Sequence, residues 1–237
     1  MTRHTWCERP SRRGPVRLLA LGAAVLLTSL PASAQDPPRI FAGGVVGIST
    51  LSADTRSVTR GSALALSTYE PENGPAVNVF AGWHVAQYFS LQANYIWNKN
   101  DVTLVSSLVT PQGGGFYEQR RHSHEHAVVF DGLIYFRRLD SAVRPYLGTG
   151  ISLLHFSSSD VVSTSSQGLM PPPGHIASTR VGLRSHVGID FRLSRRISFR
   201  YSFSEMISGN PISPSLTPPG RRGLMNFQNL FGFVGRF

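Results

Sequence analysis

Hydrophobic and polar side chains alternate with a period of two along most of the chain from residue 40 onward. In residues 90–98, Leu91, Tyr95 and Trp97 share one parity, while Gln92 and Asn94 share the other. A period of two puts successive side chains on opposite faces of a β-strand. Segments with this pattern predict eight strands, at residues 40–51, 76–84, 90–98, 126–136, 144–156, 176–193, 197–203 and 224–237.

The connections between these predicted strands alternate between long and short. Long polar stretches lie at 52–74, 99–121, 157–174 and 208–223, and short turns lie at 85–88, 137–143 and 194–196. Outer-membrane barrels have an even number of strands, short periplasmic turns and long external loops. The order therefore predicts an all-β fold, an eight-stranded antiparallel up-and-down transmembrane β-barrel with long external loops and short periplasmic turns.

The two faces of the predicted strands differ in chemistry. One face carries aromatic and aliphatic side chains, and the other carries glycine, Asn, Gln, His, Asp and Arg. A soluble lipocalin-like barrel also has eight antiparallel strands, but its apolar face lines the interior. The polar face here is the one assigned to the interior, which indicates that lipid surrounds the barrel. Beyond the first segment there is no apolar run of 18 residues, so any membrane crossing is by strands.

Residues 1–34 are predicted to be a cleaved secretory signal. Five arginines precede a 13-residue apolar stretch at 18–30, and Ala32-Ser33-Ala34 offers a cleavage site before Gln35. The mature domain, 35–237, then contains no cysteine, which excludes disulfides and cysteine catalysis. Removal of the signal reduces the formal net charge from +10 to +6, and no basic run with interleaved aromatics remains to bind nucleic acid.

The final predicted strand ends on alternating aromatics, Phe231, Phe233 and Phe237. In this strand the chain resembles the small outer-membrane β-barrel proteins of the OmpA transmembrane-domain and OmpX type, with RPYLGTGIS at 144–152 as a weaker match. The resemblance implies that Phe237, supported by Phe231 and Phe233, is the signal read by the barrel-assembly machinery. It also implies a bacterial outer-membrane location with periplasmic termini, periplasmic chaperones during biogenesis, a monomer, and contact with outer-membrane lipid and lipopolysaccharide.

Charged side chains of the polar face are predicted to fill the lumen. An eight-stranded barrel is only wide enough inside for its own side chains, so inward charges must pair. The predicted lumen network consists of Asp131, Arg180, Arg184, His186, Asp190 and Arg200. This favours a non-enzymatic barrel with a plugged lumen that serves envelope structure or surface interaction. A narrow porin-like channel and a lipid A-modifying enzyme are the alternatives.

Three histidines, His122, His124 and His126, share one strand face at a spacing that could ligate zinc or copper. The alternative is a polar hairpin rim that water solvates, and no metal or other cofactor is predicted. Residues 199–205 faintly resemble the end of the lipid A deacylase barrels, but Phe203 stands where that motif needs an imidazole. A hydroxyl without a base is a poor nucleophile, so no catalytic residue is predicted.

External arginines could pair with lipopolysaccharide phosphates through bidentate hydrogen bonds. The alternative is that they keep the loops solvated. The candidates are Arg56, Arg60, Arg120, Arg121, Arg221 and Arg222.

Overall fold

A computed structural model describes residues 39–52, 57–61, 63–166, 168–220 and 222–237. The predicted signal segment and residues Arg56 and Arg221 lie outside this described part. No helix within these ranges is long and apolar enough to cross a membrane. The strands are β1 Ile40–Ser52, β2 Ser57–Thr59, β3 Leu64–Pro71, β4 Gly74–His84, β5 Phe89–Thr110, β6 Gly113–Tyr135, β7 Val143–Ser165, β8 His175–Arg192, β9 Ile197–Gly209 and β10 Gly223–Arg236, with a 3-10 turn at Ser213–Ser215.

Eight of these strands, β1 and β4 to β10, close into a ring in which all neighbours are antiparallel. The ring is closed by β1 and β10, which pair from Phe41 opposite Arg236 to Ser52 opposite Met225. Closure satisfies the edge hydrogen bonds that an open sheet would leave free, as a membrane requires. The predicted eight-stranded antiparallel barrel is confirmed.

The two ends of the barrel differ in their connections. Short turns at 85–88, 136–142 and 193–196 join strands at one end, which we call the turn end. The opposite end, which we call the loop end, carries the remaining connections.

Two of the connections predicted as long loops, 52–74 and 99–121, are largely β-strand, so the loop prediction is wrong for them. β5 and β6 remain paired from Phe89 opposite Ile134 to Thr110 opposite Gly113, and only Pro111 and Gln112 form the tip. The connection predicted at 52–74 likewise contains β2 and β3, which pair with each other and with the upper part of β5. We call β2, β3 and the parts of β5, β6 and β7 at 99–110, 113–125 and 157–165 the extension.

The polarity of β5 reverses where the extension begins, whereas β6 keeps polar side chains such as Arg121 and Glu125 inside. In the lower part, which we call the belt, Leu91 and Tyr95 are exposed on the outer face while Asn94 is buried inside. In the extension, Val102 and Leu104 are buried inside. The outer face there carries polar residues such as Lys99, Asp101 and Thr103. The extension is thus patterned like a sheet in water, which is why apolar alternation did not reveal it.

Apolar side chains close the interior at the loop end. Two connections fold inward there, so that Leu169, Ile212 and Leu216 become buried. They pack on inward side chains of the extension and of the upper barrel, a cluster we call the cap, formed by Leu51, Tyr69, Val102, Leu104, Tyr117, Phe156, Leu169, Ile212, Leu216 and Leu224. The cap separates the polar lumen below from the outside.

Candidate functional site

The centre of the lumen holds a buried ion pair between β6 and β8. Asp131 Oδ2 accepts hydrogen bonds from Arg184 Nη1 at 2.6 Å and from Asn94 Nδ2 at 2.9 Å. His186 Nε2 lies 3.3 Å from the same carboxylate oxygen. All four side chains are buried, so the arginine and carboxylate depend on each other for compensation of charge.

A glycine makes room for this pair. Gly150 of β7 stands between Asp131 and Arg184 in the strand register. A Cβ atom at Gly150 would lie 2.2 Å from Asp131 Oδ1 and 2.1 Å from the Phe130 carbonyl oxygen. Small residues on the inner face therefore alternate with large charged ones because a narrow barrel has space for only one of them at each level.

A second ion pair lies nearer the turn end. Arg200 donates to both oxygens of Asp190, at 2.6 and 2.9 Å, and also to Gln92 Oε1 at 2.9 Å. Its Nη2 donates to the Tyr135 hydroxyl at 3.1 Å. Asp190 and Arg200 are direct cross-strand partners on β8 and β9, and the bidentate geometry is the strong form of such a pair.

Four further charged side chains of the interior, Arg121, Glu125, Arg144 and Arg236, were not predicted as lumen residues. Around the turn-end pair, the Arg144 guanidinium lies 3.8 Å from the centre of the Tyr135 ring, a cation–π contact. Each of the four falls on the inward face of its strand, so alternation could have found Arg144 and Arg236 within the predicted strands. His84, whose side chain alternation places inside, is also buried.

Two of these residues form the polar layers between the central pair and the cap. Glu125 accepts hydrogen bonds from Asn98 at 3.2 Å and from Asn226. Arg121 donates to the side chain and carbonyl of Ser158, to Gln119, and to the carbonyls of Pro173 and Gly174. Arg121 was predicted as an external lipopolysaccharide contact, and that placement is wrong, since its side chain holds the inward connection in place.

Arg180 does not join the lumen network, which corrects the prediction. It is exposed, and its Nε donates to Ser178 Oγ at 3.1 Å. The pairing of β8 with β9 begins only at Leu183, opposite Ile207, so Arg180 stands above the end of β9 at the open rim. The structure thus brings together Asp131, Arg184 and His186 at one level and Asp190 with Arg200 at another.

The three neighbouring histidines of β6 all face outward and have separate partners. His122 Nδ1 lies 2.6 Å from Asp101 Oδ1, and His126 Nδ1 lies 2.7 Å from the Tyr95 hydroxyl. The His124 ring stacks on Trp97, with 6.4 Å between ring centres. Within the described ranges, no group of three or more His, Cys, Asp or Glu residues is placed to hold a metal ion.

A family model described as "Outer membrane protein beta-barrel domain" matches residues 20–229. The chain belongs to this family. As a family member, it is a β-barrel protein of the bacterial outer membrane. No curated protein matches the chain.

Several solved structures are similar to this outer-membrane barrel, and the alignment with the first of them shows the same fold. Neisserial surface protein A (NspA) aligns with a TM-score of 0.50 at 14% identity, covering 84% of this chain and 97% of that chain. OprG from Pseudomonas aeruginosa aligns with a TM-score of 0.45 at 12% identity, covering 84% of this chain and 94% of that chain. Ail of Yersinia pestis, solved in complex with the heparin analogue sucrose octasulfate, aligns with a TM-score of 0.41 at 10% identity, covering 84% of this chain and 99% of that chain.

The belt of this outer-membrane barrel presents its apolar side chains to lipid. Phe130, Ile151 and Val181 are each more than 60% exposed, which in water would be a large apolar patch. Phe231, Phe233 and Phe237 also face outward, and the Phe237 backbone nitrogen donates to the Ile40 carbonyl at 2.9 Å. Their role as an assembly signal stays a prediction.

Proposed function

We propose that this outer-membrane barrel is a closed, non-enzymatic envelope protein that acts through surfaces outside its lumen. In this proposal the turn end and both termini lie in the periplasm, and the loop end lies outside the cell. The barrel is a monomer in the membrane, because ring closure leaves no unpaired strand in the belt. Its partners are outer-membrane lipid and lipopolysaccharide, and periplasmic chaperones and the assembly machinery act on it only during biogenesis.

The observation that supports a closed lumen is the succession of packed layers along the axis. An aromatic cluster with Tyr135 and Tyr146 is followed by the Asp131–Arg184 pair, a small apolar cluster around Ile96, the Glu125 layer and then the cap. Each layer is buried and is close-packed or contains the ion pairs and hydrogen bonds described above, and Asp131 Oδ1, Glu125 Oε1 and the Arg144 side-chain nitrogens have no hydrogen-bond partner among the described residues. A water path would have to break every one of them, at a cost of several kcal/mol for each separated ion pair.

Planar-bilayer recording of the purified protein tests this proposal against the narrow channel. The wild type is expected to give no unitary conductance steps under conditions in which a porin incorporated in parallel does. A variant in which residues 212–219 are deleted, which removes Ile212 and Leu216 from the cap, is also expected to give no conductance steps, because the layers below the cap remain. Reproducible steps from the wild type would refute the closed lumen, and steps from the cap deletion alone would show that the cap is a gate.

The lipid A-modifying alternative has one point in its favour and one against it. Ser204 is the cross-strand partner of His186, and His186 Nε2 lies 3.3 Å from Asp131 Oδ2. Serine, histidine and aspartate are the residue types of the catalytic triad of many hydrolases. However, Ser204 Oγ donates to Gln228 Oε1 at 3.1 Å, and the side chains of Ser204 and His186 are buried within the plug. A lipid ester therefore has no route to the hydroxyl.

Mass spectrometry of lipid A tests the absence of this activity. Lipid A from cells with the gene, without it, and with Ser204→Ala is expected to have the same acyl and phosphate composition. A mass change that depends on both the gene and the Ser204 hydroxyl would establish the enzyme instead.

A further inference from the structure

One cross-strand row marks the upper edge of the lipid-facing belt on β5 to β8. Trp97 is opposite His126, His126 is opposite His155, and His155 is opposite Thr179. Two residues below this row on the same face of each strand the side chains are Tyr95, Val128, Leu153 and Val181, all well exposed. Interfacial aromatics such as Trp97 sit at the level of lipid headgroups. Trp97 therefore places the β5 end of the row at headgroup depth, and because the strands are tilted the row rises toward the loop end from β5 to β8.

Titratable side chains are concentrated at and above this row. The next two rows pair Lys99 with His124 and Asp101 with His122, and His175 lies opposite Ser159. We call the group formed by Lys99, Asp101, His122, His124, His126, His155 and His175 the histidine band. It contains five of the eight histidines of the chain.

The other side of the barrel differs. Outward positions on β1, β4, β9 and β10 are almost all apolar or neutral, including Val46, Val79, Phe203 and Phe231. Among the described outward residues of those four strands, the one Asp, Glu, Lys, Arg or His is Glu205. The histidine band is thus a feature of one side and not a general property of the rim.

The imidazoles of the histidine band are held so that one nitrogen remains for an external acceptor. Nδ1 of His126 is 2.7 Å from the Tyr95 hydroxyl, and Nδ1 of His155 is 2.9 Å from Thr179 Oγ1. Nδ1 of His175 lies 3.2 Å from Ser159 Oγ. Nε2 is then the nitrogen that can donate outward, and in the protonated ring it always carries a hydrogen.

We propose that the histidine band is a proton-dependent binding surface for the phosphate groups of outer-leaflet lipid. With neutral imidazoles, Lys99 and Asp101 offset each other, so the band carries no net charge. Protonation adds up to five positive charges, of which those on His124 and His126 lie nearest the level of Trp97, where lipid phosphates lie. The proposal rests on the proposed outward orientation of the loop end.

Other charged groups lie close to the histidine band. Glu72, Asp101, Arg120 and Arg121 line one recess with His122, so its surroundings contain two carboxylates and two guanidinium groups. Burial, Lys99 and the neighbouring His126 and His122 lower the pKa of His124 from its ordinary value. His124 should therefore become charged only below the usual imidazole pKa of about 6.5.

Native mass spectrometry of the mature protein in zwitterionic detergent tests this proposal. The probe is bisphosphorylated lipid A, with fully dephosphorylated lipid A as the matched ligand, and a chelator removes bridging cations. The apparent affinity for the phosphorylated form is expected to rise about tenfold between pH 7.5 and pH 5.5, the effect of one to two added charges near a phosphate surface. The dephosphorylated form is expected to show no rise.

Two triple variants separate charge from structure. His124→Gln with His126→Gln and His155→Gln should greatly reduce the rise, because three of the five histidines of the band are then neutral at both pH values, whereas lysine at the same three positions should bind at both pH values. Because phosphate itself loses charge near pH 6, the lysine variant also measures how much binding the lipid loses on acidification. Glu205→Gln, on the opposite side, should behave as the wild type.

A pH response of undiminished size in the glutamine variant, or equal binding of the two lipid forms, would overturn the proposal. The assay in detergent depends neither on membrane orientation nor on a closed lumen. Its failure is therefore distinguishable from failure of the proposed function. All three substituted side chains are on the outer surface, and the heat-dependent gel mobility of folded barrels checks that each variant folds.

Discussion

The strand β5 runs through both the belt and the extension but has opposite polarity in the two regions. In the belt β5 places Asn94 inside and Tyr95 outside, whereas in the extension it places Leu104 inside and Thr103 outside. The hydrogen-bonded ladder continues through both without interruption from Phe89 to Thr110. The ladder thus depends on the backbone, while the polarity of each face follows the surrounding solvent, lipid below and water above.

The largest effect is expected for Arg184→Leu, which leaves Asp131 as an uncompensated charge in the belt interior. The free energy of unfolding, measured by urea titration in lipid vesicles, should fall by about 3–5 kcal/mol. Replacing both Asp131 and Arg184 by leucine should recover most of the loss. The exposed Arg138–Asp140 pair, 3.7 Å apart, is the control, and Arg138→Leu should change stability by less than about 1 kcal/mol. A small effect of Arg184→Leu would show that water reaches Asp131.

In the extension the corresponding interior position is apolar. Leu104→Ala removes a fully buried side chain from the cap and should cost about 2–5 kcal/mol of local stability. Hydrogen exchange should show faster opening of the extension with the belt unchanged. Equal acceleration in both regions would mean that they unfold as one unit.

Charged substitutions on the outer faces test whether lipid surrounds the belt and water surrounds the extension. Phe130→Arg puts a charge in the middle of the belt against lipid and should cost about 2–4 kcal/mol in vesicles. Thr103→Arg puts the same side chain on the outer face of the extension and should stay within about 0.5 kcal/mol. If the two substitutions had similar effects, the assigned height of the belt would be wrong.

The smallest effect concerns the inward glycines. Gly150→Ala should cost about 1–3 kcal/mol, because its Cβ would press on Asp131 and on the Phe130 backbone. Gly132→Ala on the outer face is the matched control, since its nearest neighbour is the Phe89 ring at 3.6 Å, an ordinary contact. The same urea titration measures both. A neutral Gly150→Ala would mean that β7 can move away from the central ion pair.

The sequence predicted the interior residues of the belt correctly because lipid around the belt requires apolar side chains outside, which leaves the polar side chains inside. Asp131, Arg184, His186, Asp190 and Arg200 could be placed inside from parity alone. The prediction failed for Arg180, which has the same parity but stands above the end of β9, because parity does not report where a neighbouring strand stops.

The extension shows the second limit. Arg121 and Glu125 share the inward parity of β6 with Asp131, but polar residues on both faces made 99–121 look like a loop. The cap could not be predicted from local pattern, because Leu169, Ile212 and Leu216 are buried by connections that fold back into the mouth. Such contacts join residues distant in sequence, for which alternation carries no information.

The two-residue tip at Pro111 and Gln112 has a practical consequence. From Trp97 to Thr110 the strand runs on for 13 residues, which carries the tip roughly 30 Å beyond the lipid at ordinary rise and tilt. A foreign epitope spliced between Pro111 and Gln112 would interrupt no ladder pair, so the barrel should tolerate it as a display scaffold.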